Sequence, residues 1–510
     1  MSEENAKLRG QNLTPAIELS TTPDGALLLG HPEREPVLLA GRGDEMFVIG
    51  AIRTHYDAPL EQGLLTGDTV RCPWHHAFFR LRTGKALRPL RAPALDPVSR
   101  GRVEAAVRDV TRQFIPVDEP VGAVFAREKL EPWKPQPQRP SVGLPKSSRA
   151  IPASAGETLP CDRPNLSKAY LAGAPPDASN VLRPAKFCTQ HDIELRLGAC
   201  VPEVDTASRR VHLADGGLHD YDALLLATGA EPLRLDIPSA ALPHVRYLRM
   251  LAVSRGLVTE ALVIGASFIG LEVAAWLRGR NIEVRVVGTE TALMEKVLGS
   301  GVRDYLRSLH ENHGLTFHLG TTATAINDDA VTMKSGENLP ADLVVIGMGV
   351  WPTISLAQEA GLASNRGVAV DEYLETRAPG IVAAGDIARW PDRLSGEHIR
   401  LEHWVVAERQ GQVAEHNIPR RRERPDYVPF FWTEQYDFSL AYVDRAERWD
   451  EAEIEGSLEV RNCRLGSREL ANAFVHRDHD GLRAELEFEQ TIAAGEVDSQ
   501  GTASYSTERR

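Results

Sequence analysis

Gly265, Ser267, Gly270 and Glu290 carry the chemistry most readily read from this chain. The run Ala261-Leu-Val-Ile-Gly265-Ala-Ser267-Phe-Ile-Gly270-Leu-Glu272 sets an apolar strand before a tight turn and a helix after it. Gly265 permits the turn, and the small residues that follow let the backbone approach a pyrophosphate. Unpaired N–H groups and the positive dipole end at the helix start supply what a phosphate needs. A second apolar strand, Ile282-Glu-Val-Arg-Val-Val287, ends beside Glu290. That acid lies about 20–25 residues past the turn, where a carboxylate accepts hydrogen bonds from adenosine ribose hydroxyls. Its charge repels a 2′-phosphate, which points to NAD rather than NADP. Ser267 stands where the usual pattern has its second glycine. An ordinary βαβ turn could use some of these residues; strand, turn, helix, strand and acid in one order favour the dinucleotide.

A further glycine pair, Gly347 and Gly349 in Ile346-Gly-Met-Gly-Val350, closes another apolar run. Strand-end residues without side chains let the backbone pass close to a flat ring, here a nicotinamide, though a plain turn is built the same way.

These residues need a scaffold, and the chain has length for several. Its 510 residues suit three or four domains at roughly 100–200 residues each. Hydrophobic residues make up 42%, enough for several cores. A net charge of −13 argues against general nucleic-acid binding. No apolar run reaches the ~18 residues of a membrane span. The start, Met-Ser-Glu-Glu-Asn, has neither a basic nor an apolar signal region. The five cysteines (Cys72, Cys161, Cys188, Cys200, Cys463) are scattered, as suits a reducing cytoplasm. A cytoplasmic protein without a nucleic-acid or membrane partner is expected.

Short strand-like runs from about Ala16 to Ala126 read as a small β domain. The proline-rich Glu131-Pro-Trp-Lys-Pro-Gln-Pro-Gln-Arg-Pro140 reads as an extended linker. Strands and helices then alternate from about Cys161 to Pro419, as in an open parallel sheet, and short strands with a helix follow to about Glu489.

Several further segments resemble the ferredoxin-reductase-like flavoproteins, which bind FAD and NADH on separate domains. They are Asp162-Arg163-Pro-Asn-Leu-Ser-Lys168, Leu224-Leu-Leu-Ala227-Thr228-Gly229, Ile381-Val-Ala-Ala-Gly385-Asp386-Ile-Ala, Glu402-His403-Trp404 and Phe430-Phe431-Trp432. The resemblance implies that Arg163 meets the cofactor's phosphates or ribose and that Thr228 and Gly229 contact FAD. It implies that Asp386, after Gly385, binds the ribityl chain, and that Glu402, His403, Trp404 and Trp432 line the flavin ring. Trp404 and Trp432 could equally be core residues. Lys168 and Glu272 are implied to sit together at the flavin, the cation stabilising the reduced ring and the carboxylate holding the cation. A solvated lysine and a helix-surface glutamate are the plainer alternatives.

Thr54-His55-Tyr56 and Val70-Arg-Cys72-Pro-Trp-His75-His76 resemble a Rieske domain, whose Cys-x-His and Cys-x-x-His pairs hold a [2Fe-2S] cluster. The resemblance implies His55, Cys72 and His75 as ligands, or, without metal, as loop residues. The remaining ligand position holds Arg53, whose guanidinium has no lone pair for iron.

The whole chain is similar to Rieske-fused, apoptosis-inducing-factor-like members of the pyridine nucleotide-disulfide oxidoreductases. The implied fold is multidomain. An N-terminal all-β Rieske-like domain (16–127) follows a flexible tail (1–15), and a linker covers 128–150. Two α/β Rossmann-like nucleotide-binding domains come next: FAD-binding 151–250 and 373–420, and NAD-binding 251–372. A small α+β reductase domain (421–490) precedes a disordered tail (491–510). The FAD domain reads as truncated, because residues 141–161 hold no apolar strand with Gly-x-Gly-x-x-Gly. Prolines and small polar residues there oppose a helix. The stretch 246–262 is also short for the family. Two functions follow. One is an FAD-dependent oxidoreductase passing electrons from NADH to an iron–sulfur acceptor such as a ferredoxin. The other is a redox-inactive relative that keeps only nicotinamide nucleotide binding.

Overall fold

The computed structural model describes residues 11–12, 24–31, 37–43, 45–50, 59–73, 76–82, 86–88, 123–126, 150–161, 163–164, 181–183, 185–191, 193–240, 242–247, 258–394, 396–418, 422–425, 427–444, 451–455, 460–465 and 468–494. Its contacts define two compact units: Met1–Ser141 with Arg477–Glu487, and Val142–His476 with Phe488–Arg510. Arg53, His55, His75 and Lys168 lie outside the described residues.

The first unit holds two small sheets. Leu27–His31, Val37–Arg42 and Glu45–Gly50 form an antiparallel meander, with Ala123–Ala126 pairing the outer edge of the last strand. Leu64–Thr66, Thr69–Arg71, Phe78–Arg80 and Ala86–Arg88 form the second meander. Val37, Leu38, Phe47, Leu60, Val70 and Phe79 are buried. The six large side chains contribute roughly 1.5–3 kcal/mol each.

The second unit is built round a five-stranded parallel sheet, in the order Val245–Tyr247, Leu343–Ile346, Glu260–Ile264, Glu283–Gly288 and Thr316–Leu319. Leu262, Val263, Val284, Val286 and Val344 are wholly buried, and the unbroken apolar runs 261–264 and 343–346 mark strands covered on both faces. Val245–Tyr247 pairs with Leu343–Ile346 of this sheet, although the sequence boundary at 250 groups it with the expected FAD part. Three residues are too few for a periodic signal.

Helix Phe268–Gly279 follows the central strand. It ends in a Schellman motif: Ile282 N–H donates to Leu277 C=O (3.2 Å) and Asn281 N–H to Arg278 C=O (2.9 Å), with Asn281 at φ +61°. Leu277 and Ile282 pack in the same core. Helix Glu295–Asn312 carries Val302, Leu306 and His310, all buried and spaced four apart on one face. Val302 and Leu306 pack with Phe438, Leu440 and Tyr442 of the C-terminal antiparallel sheet. Helix Asp478–Ala494, with Ile492 buried, continues past residue 490, where the sequence reading begins a disordered tail.

The part expected to hold FAD is sparser. Leu224–Leu226 and Ile381–Ala383 form a two-stranded parallel pair, with Leu225 37% exposed. Residues 150–161 hold no helix and only isolated bridges, Ala150 to Ile193, Ala153 to Arg196 and Cys161 to Val181. Among the described residues no helix is long and apolar enough to cross a membrane.

Candidate functional site

The glycines of the strand–turn–helix interlock. Gly265 has φ +115°, and a Cβ there would lie 2.4 Å from Gly347 O. A Cβ on Gly270 would lie 2.0 Å from Gly265 O, closer than any side-chain carbon can sit. Gly265 N–H donates to Val287 C=O at 2.8 Å, tying the turn to the next strand. Gly347 packs against the Gly270 backbone, so the two glycine runs read separately in the sequence meet at one place.

Ser267 is the N-cap of the helix. Its Oγ accepts from Gly270 N–H (3.3 Å) and donates to Gly347 C=O (2.8 Å). The residue that departs from the glycine pattern therefore caps the helix and locks the turn to the neighbouring strand, and no glycine could do either. The first intrahelical bond is Leu271 N–H to Ser267 C=O, so the Phe268 and Ile269 amides lie ahead of it at the positive helix end. Glu290 is exposed, and its Oε2 would lie 2.8 Å from a Cβ on Gly288. Gly288, which the sequence reading passed over, makes the room into which this carboxylate folds. Gly349 has φ +104° and its carbonyl accepts from Leu233 N–H at 3.0 Å.

Glu272, two residues past Gly270, is buried at 4% exposure. Its Oε1 accepts from the Thr433 hydroxyl at 2.7 Å. Among the residues expected at FAD, Thr228 Oγ1 donates to Thr353 C=O (2.5 Å), and the Gly229 carbonyl accepts from Thr353 N–H (2.8 Å). Gly385 (φ +79°) donates its N–H to the buried Gln410 at 2.7 Å. Arg400 joins the Asp386 carbonyl (2.9 Å) to the Glu402 carboxylate (2.6 Å). Sequence reasoning missed Gln410 and Arg400, because neither belongs to a motif. His403 precedes helix Trp404–Asn417 with its ring 5.4 Å from Phe431, and Trp432 stacks on Phe430 at 5.9 Å. Trp404 and Trp432 are half-buried and Arg163 is exposed.

Residues 146–411 match the family described as pyridine nucleotide-disulphide oxidoreductase, and residues 17–100 match the Rieske [2Fe-2S] domain. Apoptosis-inducing factor 3 of Mus musculus is 30% identical over 463 residues, covering 83% of this chain and 74% of that protein. The chain belongs to the pyridine nucleotide-disulphide oxidoreductase family. Rhodocoxin reductase of Rhodococcus erythropolis is 36% identical over 341 residues, 64% of this chain and 80% of that protein. Among solved structures, the ferredoxin reductase for the CYP199A2 system of Rhodopseudomonas palustris matches with TM-score 0.63 and 33% identity, over 70% of this chain and 94% of that one. The covalent putidaredoxin reductase–putidaredoxin complex matches with TM-score 0.63 and 29% identity, over 69% and 93%.

Within this family frame the residues fit NAD(H) well: interlocked glycines, a capped helix start and Glu290 form a cradle that side chains would fill. Gly385 and Asp386, expected at the ribityl chain of FAD, are half-buried where strand Ile381–Ala383 ends. Residues 150–161, mostly exposed and without a helix, offer no phosphate-binding helix start. In the Rieske-like unit Cys72 is fully buried, its N–H donating to Ala77 C=O (2.8 Å) while its C=O accepts from His76 N–H (3.1 Å). Glu485 bridges both ends of this loop, pairing with Arg71 (3.1 Å) and with His76 Nδ1. Arg71 also lies 4.1 Å over the Phe78 ring. The donor set does not fit a four-ligand [2Fe-2S] cluster, because Arg53 occupies a thiolate position.

Proposed function

We propose that the chain is an NADH-dependent flavoprotein oxidoreductase that passes electrons through FAD to an iron–sulfur acceptor. The observation that carries this reading is the Gly265–Gly270–Gly347 cradle with Ser267 as its cap and the exposed Glu290 folded toward Gly288. When bound, FAD supplies the two-electron to one-electron conversion that a hydride donor and a single-electron acceptor require. Gly265, Ser267 and Gly270 hold the dinucleotide phosphates, Glu290 its ribose, and Gly347 and Gly349 its nicotinamide. Thr228, Gly229, Gly385, Asp386 and Arg163 serve the flavin's chain, and Glu402, His403, Trp404 and Trp432 the walls of its ring site. Lys168 supplies the cation at the ring, and Glu272 orients it. A ferredoxin is the acceptor that the relatives' names favour, and the few, scattered cysteines favour the cytoplasm.

The irregular, exposed run 150–161 and Arg53 favour a second reading, a relative that binds the nicotinamide nucleotide without redox chemistry. An absorbance spectrum of the purified chain, before and after added FAD, separates the two. Bands near about 380 and 450 nm that NADH bleaches support the oxidoreductase. NADH binding with a spectrum that FAD cannot restore supports the second reading and refutes the first.

A further inference from the structure

The buried Glu272 carboxylate stands at the end of a chain of side chains that no motif contains. Thr433 and Gln435 lie on strand Phe430–Gln435, two residues apart and so on one face. His310 lies on helix Glu295–Asn312. Thr433 Oγ1 donates to Glu272 Oε1 (2.7 Å), Gln435 Nε2 donates to Thr433 Oγ1 (3.1 Å), and His310 Nε2 meets Gln435 Oε1 (2.7 Å). His310, Thr433 and Gln435 are each 0% exposed.

The bonding permits one direction only. The hydroxyl has a single proton and gives it to the carboxylate, so its lone pair must accept from the Gln435 amide NH₂. That turns the Gln435 oxygen toward His310, which must donate from Nε2. Burial pushes His310 down to about 4, so the neutral ring carries its one proton on Nε2. Every donor in the chain points toward Glu272. Burying three polar side chains where apolar ones would pack has a cost, which the bonds offset only when all are made. The three residues come from two elements outside the glycine turn, and they converge on a carboxylate two residues past Gly270.

We propose that Thr433, Gln435 and His310 are positioning residues that hold the Glu272 carboxylate in one orientation beside the dinucleotide cradle. This rests on the reading above, in which Glu272 serves the redox site. None of the three touches substrate; they act through Glu272.

The test uses the full chain and the variants Thr433→Val, Thr433→Ser, Glu272→Gln and Thr433→Val/Glu272→Gln. NADH affinity of flavin-free protein is followed by nicotinamide fluorescence, and kcat by NADH-dependent dye reduction on FAD-supplemented protein. Thr433→Val keeps the shape and removes the donor, whereas Thr433→Ser keeps the donor. We expect Thr433→Val to lower one of these quantities about tenfold, the worth of one hydrogen bond to a charged group. Thr433→Ser should restore it to within about twofold, and the double variant should be no worse than Glu272→Gln alone, since residues acting through one group do not add. The inference is overturned if serine fails as valine does, if the two effects multiply, or if Thr433→Val is silent while Glu272→Gln is not. If Glu272→Gln is itself silent in a chain that binds NADH, the assigned role of Glu272 falls and the inference with it. A chain that binds no NADH refutes the dinucleotide reading as well.

Discussion

Lowering the pH should destabilise the second unit through His310 in a defined window. The ring is wholly buried, and desolvation, the largest influence, outweighs the raising effect of its bond to Gln435; the nearby His313 lowers it further. The folded protein therefore holds His310 neutral down to about pH 4, whereas an unfolded histidine takes a proton near 6.5. Below about 6.5 the unfolded state binds more protons than the native state, so stability falls with falling pH, and the loss levels off below about 4. The full contribution is about 3 kcal/mol, of which about 2 kcal/mol is lost by about pH 5. Other groups titrate in the same range, so the measurement is a difference. Urea unfolding of the chain is compared with that of His310→Gln, whose amide can still donate to Gln435 but has no titration there. The gap between the two should move by about 2 kcal/mol in the variant's favour between about pH 7 and pH 5. A gap that stays constant within about 0.5 kcal/mol would refute a buried, neutral His310.

Other outcomes follow from the same contacts. Gly265→Ala sets a Cβ 2.4 Å from Gly347 O at a φ of +115°, and should abolish NADH binding, with at least about a hundredfold loss by fluorescence titration. Glu485→Leu leaves Arg71 and His76 without the carboxylate that bridges them, and should cost the first unit about 3–5 kcal/mol in denaturant unfolding followed by circular dichroism. Arg53→Cys completes the two-thiolate, two-imidazole set, and should raise iron in metal analysis toward about two per chain, while the natural chain stays well below that.

The cradle was legible in the sequence because its parts are local: strand, turn and helix follow one another between Ala261 and Gly279, and Glu290 comes soon after. The parallel sheet was legible for a similar reason, since strands buried on both faces read as unbroken apolar runs. Ser267 was legible only as a departure from the pattern. That it also locks the turn to the neighbouring strand depends on where Gly347 lies, 80 residues away. Gln410 and Arg400 were invisible because a buried amide or guanidinium has no local signature; its meaning is the group it meets.

Residue types and spacing alone therefore pointed to a dinucleotide cradle and to NAD rather than NADP, and showed an arginine at one Rieske ligand position. Only the tertiary structure decided what Glu272 touches. Thr433 is 161 residues from it along the chain, and His310 is 125 from Gln435. Buried hydrogen bonds of that separation are set by how a strand and a helix pack; periodicity marks the buried face of each segment but does not name its partner across the contact.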